Sequence, residues 1–112
     1  MRDDDRVRLR HLMDAAREAM SFVVGKTRSD LDRERLLALA LVREIEIVGE
    51  AASRLSSEAT ASLPSVPWPE VISMRNRLIH AYFDVDLDVV WATVTEDLPS
   101  LVETIETVVA DD

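Results

Sequence analysis

Cysteine is absent from these 112 residues, so there is no disulfide framework and no thiolate metal centre. Glycine occurs twice and proline four times, too few turn-formers for a many-stranded β fold. Long apolar runs are also missing: none approaches the ~20 residues that a membrane-spanning helix needs. Residues 1–10 are densely charged and lack the apolar core of a signal peptide. The expectation is one soluble cytoplasmic domain over residues 1–112.

Positive charge is scarce, and its distribution is uneven. The formal net charge is −9. Residues 64–112 hold ten acids against two bases, Arg75 and Arg77, so that half carries −8. Nucleic-acid binders are usually basic because phosphate contacts drive their affinity. This balance excludes a general nucleic-acid binder. Action on RNA would need a local cationic cleft or a partner.

What remains is helix-forming. The sequence is 47% apolar, enough for a core. Val7, Leu9, Leu12, Met13, Ala16, Met20 and Val23 recur at three- and four-residue spacing, predicting a first helix from Asp5 to about Val24 that stops at Gly25. Leu37, Leu41, Ile45, Val48, Ala52 and Leu55 form an unbroken helical face. They predict a second helix over about 31–55, capped by Ser29. Gly49 lies inside it, where a glycine costs ~1 kcal/mol relative to alanine; close approach of another helix is the expected reason. Residues 56–67 read as a connector with at most one helical turn.

Pro69 suits the first position of a third helix to about Ala81. Asp86 is placed to cap a fourth from Leu87 to about Val109, with a kink or break between Thr95 and Pro99, because proline removes a backbone donor. No segment shows sustained two-residue alternation, so no sheet is expected. The fold class is all-α, an antiparallel bundle of four to five helices.

The segment Met74-Arg75-Asn76-Arg77-Leu78-Ile79-His80-Ala81-Tyr82-Phe83 joins the acidic half's two bases to a histidine and the chain's one tyrosine. Histidine titrates near neutrality and serves as base or acid. Arginine presents a fixed charge whose donor fork matches phosphate oxygens. On an ideal helix Arg75 and His80 stand about 140° apart. For both to face one point, either the helix unwinds near His80 or a second protomer completes the site. From spacing alone, a capping His and an Arg paired with Asp84 or Asp86 is the commoner outcome.

The stretch from Arg75 to Tyr82 resembles the R-x4-H-x-Y motif of the HepT toxins in the HEPN superfamily. Glu46-Ile47-Val48-Gly49-Glu50-Ala51-Ala52, Val66-Pro67-Trp68, Val85-Asp86, Val90-Trp91 and Asp97-Leu98-Pro99 follow in the family's order, most strongly from the second helix onward. The resemblance implies a HEPN-like homodimer and a metal-independent ribonuclease without cofactor, acting on tRNA or mRNA. Arg75 and His80 would be its catalytic pair at a cleft between protomers. It also implies a minimal nucleotidyltransferase (MNT) antitoxin as partner, which attaches AMP to Tyr82. Asn76 and Arg77 fill the intervening positions, and Arg77 would add RNA contact. The alternative is a non-catalytic, nucleotide-binding helical partner subunit of such a transferase.

The remaining polar and aromatic residues read more plainly. His11 is expected at solvent or an interface, and Glu44, Glu46 and Glu50 on a solvated face. The rival for the glutamates is that one of them orients Arg75. Trp68 and Trp91 read as core or interface aromatics. Asp84, Asp86 and Asp88 read as a cap and solvated acids, since no calcium-loop glycine follows them.

Overall fold

A computed structural model describes residues 1–80 and 84–109, with only the backbone at Ile79 and His80. The helices are α1 (Asp3–Phe22), α2 (Asp30–Arg33), α3 (Arg35–Ser53), α4 (Ser57–Ala61), α5 (Trp68–Ile72) and α6 (Met74–Leu78), then α7 (Leu87–Ala92) and α8 (Leu98–Val109). Between α6 and α7 lies a two-residue antiparallel ribbon, β1 (Ile79–His80) against β2 (Asp84–Val85). The protein is all-α in class. Among the described residues no helix is long and apolar enough to cross a membrane.

The long helices follow the apolar stripes. Leu9 and Leu12 of α1, Leu41, Ile45 and Val48 of α3, and Leu98 and Ile105 of α8 are completely buried in one core. Each such side chain contributes about 1.5–3 kcal/mol relative to exposure. Trp68 is buried in the same core, with Nε1 donating to the Leu63 carbonyl at 3.2 Å. α1 and α3 run antiparallel, which their ends make plain. Asp5 near the start of α1 accepts from the backbone N–H of Ser56 (2.9 Å) and from its hydroxyl (2.7 Å), just past the end of α3. The Ser56 hydroxyl in turn accepts from Ala59 N–H and caps α4.

Gly25 adopts φ +76°, the left-handed turn that ends α1's segment. A Cβ on Gly49 would stand 3.2 Å from the carbonyl oxygen of Ile72 and 3.5 Å from that of Val71. The glycine therefore exists to let α5 lie against α3, as expected.

Four expectations need correction. The single helix over 31–55 is two, broken at Glu34 (φ −112°, ψ 84°). In an unbroken helix Leu31 would point about 80° away from Leu41; the break lets both reach the core. Lys26 holds the bend by bonding both Glu34 carboxylate oxygens at 3.0 and 3.1 Å. Ser29 does not cap: its side chain makes no cap hydrogen bond. Instead the Asp30 carboxylate reaches back to Thr27 N–H at 2.7 Å, one half of a capping box shifted by two residues.

The third helix is interrupted at Ser73, where α5's last carbonyls press on Gly49, and α6 ends at Leu78 rather than Ala81. The chain then pairs Ile79 with Val85 and His80 with Asp84, so a minimal ribbon stands where none was expected. Two residues are too few to produce an alternation pattern.

The fourth helix behaves as read. Asp86 accepts from Asp88 and Val89 N–H at 3.1 and 3.2 Å. A π-helical turn, Thr93–Asp97, precedes Pro99. Proline cannot donate to the carbonyl four residues back, and the helix widens there. Thr93 and Thr95 hydroxyls donate to the Val89 and Trp91 carbonyls, both at 2.7 Å.

Candidate functional site

α6 is one turn of helix held at both ends. Met74 and Leu78, four residues apart, are buried, which leaves Arg75, Asn76 and Arg77 all exposed between them. Arg75 Nε lies 3.5 Å from Glu46 Oε2 in the middle of α3. Arg75 remains half exposed while Glu46 is mostly covered. The contact runs through Nε, and the two terminal nitrogens form the end-on fork that matches a phosphate.

Of the three glutamates, Glu46 is the one that meets Arg75. Glu50 pairs with Arg54 at 2.8 Å. Glu44 is not on a solvated face: it is buried in the α1–α3 seam beside Glu18. Burial, followed by the hydrogen bond and charge of Glu18, pushes its carboxyl up to about 7. The sequence held a signal for this, since Glu44 falls three residues after Leu41 and four before Val48 on the buried face.

Arg77 points elsewhere. Two residues along the helix from Arg75, it is rotated by about 200°. Its Nη2 reaches the Glu70 carbonyl at 3.4 Å, and it lines a cavity of about 170 Å³ with Glu70, Met74, Asp97, Ser100 and Thr104. The structure brings Arg75 to Glu46 and α3, and does not bring Arg77 to the same place.

The helix ends before His80. The backbone of His80 lies on the ribbon opposite Asp84. The His80 side chain and the whole of Tyr82, the residue expected to receive AMP, lie outside the described residues. His11 is exposed, as expected. Asp88 pairs with Arg28 at 2.6 Å, which agrees with a solvated acid. Among the described residues no three His, Asp or Glu side chains are grouped to hold a metal ion.

A helical bundle carrying an arginine on a one-turn helix, five residues before a histidine on a short ribbon, defines a class before it defines a family. The comparisons with known proteins supply the family. The chain belongs to the Ribonuclease HepT-like family, whose model matches residues 12–108. It is 36% identical over 105 residues to a Methanocaldococcus jannaschii protein named "Gamma-glutamylcyclotransferase and putative RNase", covering 94% of this chain and 47% of that one. A second protein of the same organism, named "Putative RNase", is 30% identical over 97 residues, covering 87% and 89%. "Probable ribonuclease HepT" of Thermococcus cleftensis is 48% identical over 62 residues, covering 55% of this chain and 56% of its own. The chain thus spans about half the length of the first and third of these relatives. No solved structure matches it.

Proposed function

We propose that this chain is a metal-independent endoribonuclease, the toxin of a HepT/MNT toxin–antitoxin pair, acting as a cytoplasmic homodimer. The observation that carries the reading is Arg75: an exposed guanidinium paired with Glu46 on a one-turn helix, just before the ribbon that carries His80. Family membership and relatives named as RNases support the same class.

The chemistry is internal transesterification. A 2′-OH attacks the adjacent phosphorus, and the bond to the 5′-oxygen breaks. The products are a 2′,3′-cyclic phosphate and a free 5′-OH. His80 of one protomer accepts the 2′-OH proton. His80 of the second protomer donates a proton to the leaving oxygen. Arg75 neutralises the extra charge on the phosphorane. Glu46 is a positioning residue: it fixes the guanidinium plane and touches no substrate. Asn76 and Arg77 are exposed neighbours on the same turn, and Arg77 contacts RNA outside the reacting centre. AMP added to Tyr82 by the antitoxin places bulk and negative charge beside a phosphate site, which blocks RNA by sterics and repulsion.

The test is cleavage of RNA by the purified protein in EDTA, with His80→Ala as control. Metal-free cleavage ending in cyclic phosphate, lost in a folded His80→Ala variant, is expected. Full activity in that variant, or strict metal dependence, overturns the reading. For the modification, incubation with a cognate nucleotidyltransferase and ATP should add AMP mass to the wild type and none to Tyr82→Phe. The net charge of −9 favours the second reading, a nucleotide-binding partner subunit without catalysis. Nucleotide binding with no RNA cleavage in any buffer would establish it in place of the first.

A further inference from the structure

The seam between α1 and α3 is open along one side. One cavity of about 460 Å³ is lined by Asp4, Arg8, His11, Ile47, Glu50 and Arg54, among others. A second, of about 240 Å³, is lined by His11, Asp14, Ala15, Glu18, Glu44 and Ile47. They share His11 and Ile47, so they form one groove. Its charge is not uniform. The first half mixes acids and arginines, whereas the lining of the second includes three carboxyl groups and no Lys or Arg.

Glu44 is what makes the acidic end unusual. It is 6% exposed, and its Oε2 has no hydrogen-bond partner. An unsatisfied buried carboxyl oxygen is costly, by roughly 1–3 kcal/mol. It is paired in native proteins or stays protonated. The groups that face it from α1 are Glu18, with Asp14 and His11 further along the same groove. On its own helix Arg43 lies near enough to favour its ionised form slightly, and that effect is the weakest of those acting on it. Nothing in the site described above uses Glu44, and it lies on the seam rather than at Arg75.

A metal ion is a poor match, because no three ligating side chains among the described residues gather to hold one. An organic cation needs only two acceptors. A guanidinium presents paired N–H groups that bridge two carboxylates, and an alkylammonium presents three donors. Glu18 is exposed and its side chain is long, so it can swing aside to admit such a group to Oε2.

We propose that the acidic end of the α1–α3 groove, Glu18 with Glu44, is a binding site for a single guanidinium or alkylammonium group. Binding would draw the proton from the pair and leave both carboxyls ionised against the cation. The group comes either from an arginine or lysine side chain of a partner protein, whose flanking residues would occupy the rest of the groove, or from a free amine. The proposal stands apart from RNA cleavage and applies equally to a His80→Ala protein.

The experiment is a carboxyl-carbon NMR titration of Glu44 in the full chain. It is run in sodium chloride, in methylguanidinium chloride at the same ionic strength, and with the blocked tripeptide Ala-Arg-Ala. Glu44→Gln identifies the resonance. A cation in contact should lower the Glu44 midpoint by about one pH unit relative to sodium chloride, and Glu18→Gln should abolish most of that shift. A stronger effect from the tripeptide than from methylguanidinium at equal concentration assigns the site to a protein side chain. An equal or weaker effect assigns it to a free cation. The same midpoint in all three solutions, or a shift that survives Glu18→Gln unchanged, overturns the proposal.

Discussion

Arg75 Nε stands 3.5 Å from Glu46 Oε2, tying a one-turn helix to the centre of α3. The pair is exposed on the arginine side, so its worth to stability is small, about 0–1 kcal/mol. In the proposed mechanism its part is to aim the fork. Arg75→Ala should lower RNA-cleavage kcat by roughly 10²-fold or more, the scale of losing a charge-stabilising donor. Glu46→Ala should lower kcat by about tenfold, with KM little changed, since orientation is lost and the charge remains. Steady-state kinetics on one short RNA checks both. A KM effect with unchanged kcat in Glu46→Ala would show that Glu46 does not orient Arg75.

Stability should fall as pH rises through the neutral range. Glu44 has its folded pKa raised from 4.5 to about 7, so between those values the folded state holds a proton that the unfolded state has lost. Its contribution is therefore fully present below 4.5 and lost on the way to 7. The loss should be of order 2 kcal/mol, reduced from the full shift because Glu18 beside it is exposed to water. Urea midpoints measured from pH 5 to 8 check this, and Glu44→Gln should flatten the slope.

Acid acts through a different carboxyl. The Ser56 backbone N–H and hydroxyl hold Asp5 below its ordinary value. Its stabilisation is present above about 4 and is lost as pH falls further. Asp5→Ala should cost about 2 kcal/mol, because it strands the Ser56 donors at the α3–α4 junction. Urea denaturation at pH 6 checks the cost, and the variant should lose part of the acid sensitivity below pH 4.

Gly49 couples packing to the site. It lies three residues after Glu46, with the Ile72 and Val71 carbonyls against it. Gly49→Val places branched carbons where backbone oxygen now sits. It should cost about 1–3 kcal/mol as overpacking, and it should push α5 and α6 outward, separating Arg75 from Glu46. A melt and a cleavage assay on the same variant check both effects. Loss of stability with full activity would show that α6 keeps its place independently.

The stripes from Leu37 to Leu55 and from Leu87 to Val108, the cap at Asp86, the stop at Gly25 and the distortion before Pro99 were determined by sequence, because each depends on neighbours within two helical turns. The close approach at Gly49 was legible for the same reason: a glycine in a helix otherwise has no cause. The Arg75–His80 segment was legible as a pattern of residue types. The tertiary structure alone decided which of three glutamates meets Arg75, that Glu44 is buried beside Glu18, that Asp5 holds Ser56, and that the helix stops at Leu78. Each of these depends on a contact between segments far apart in the chain, and local spacing carries no information about which distant segment arrives.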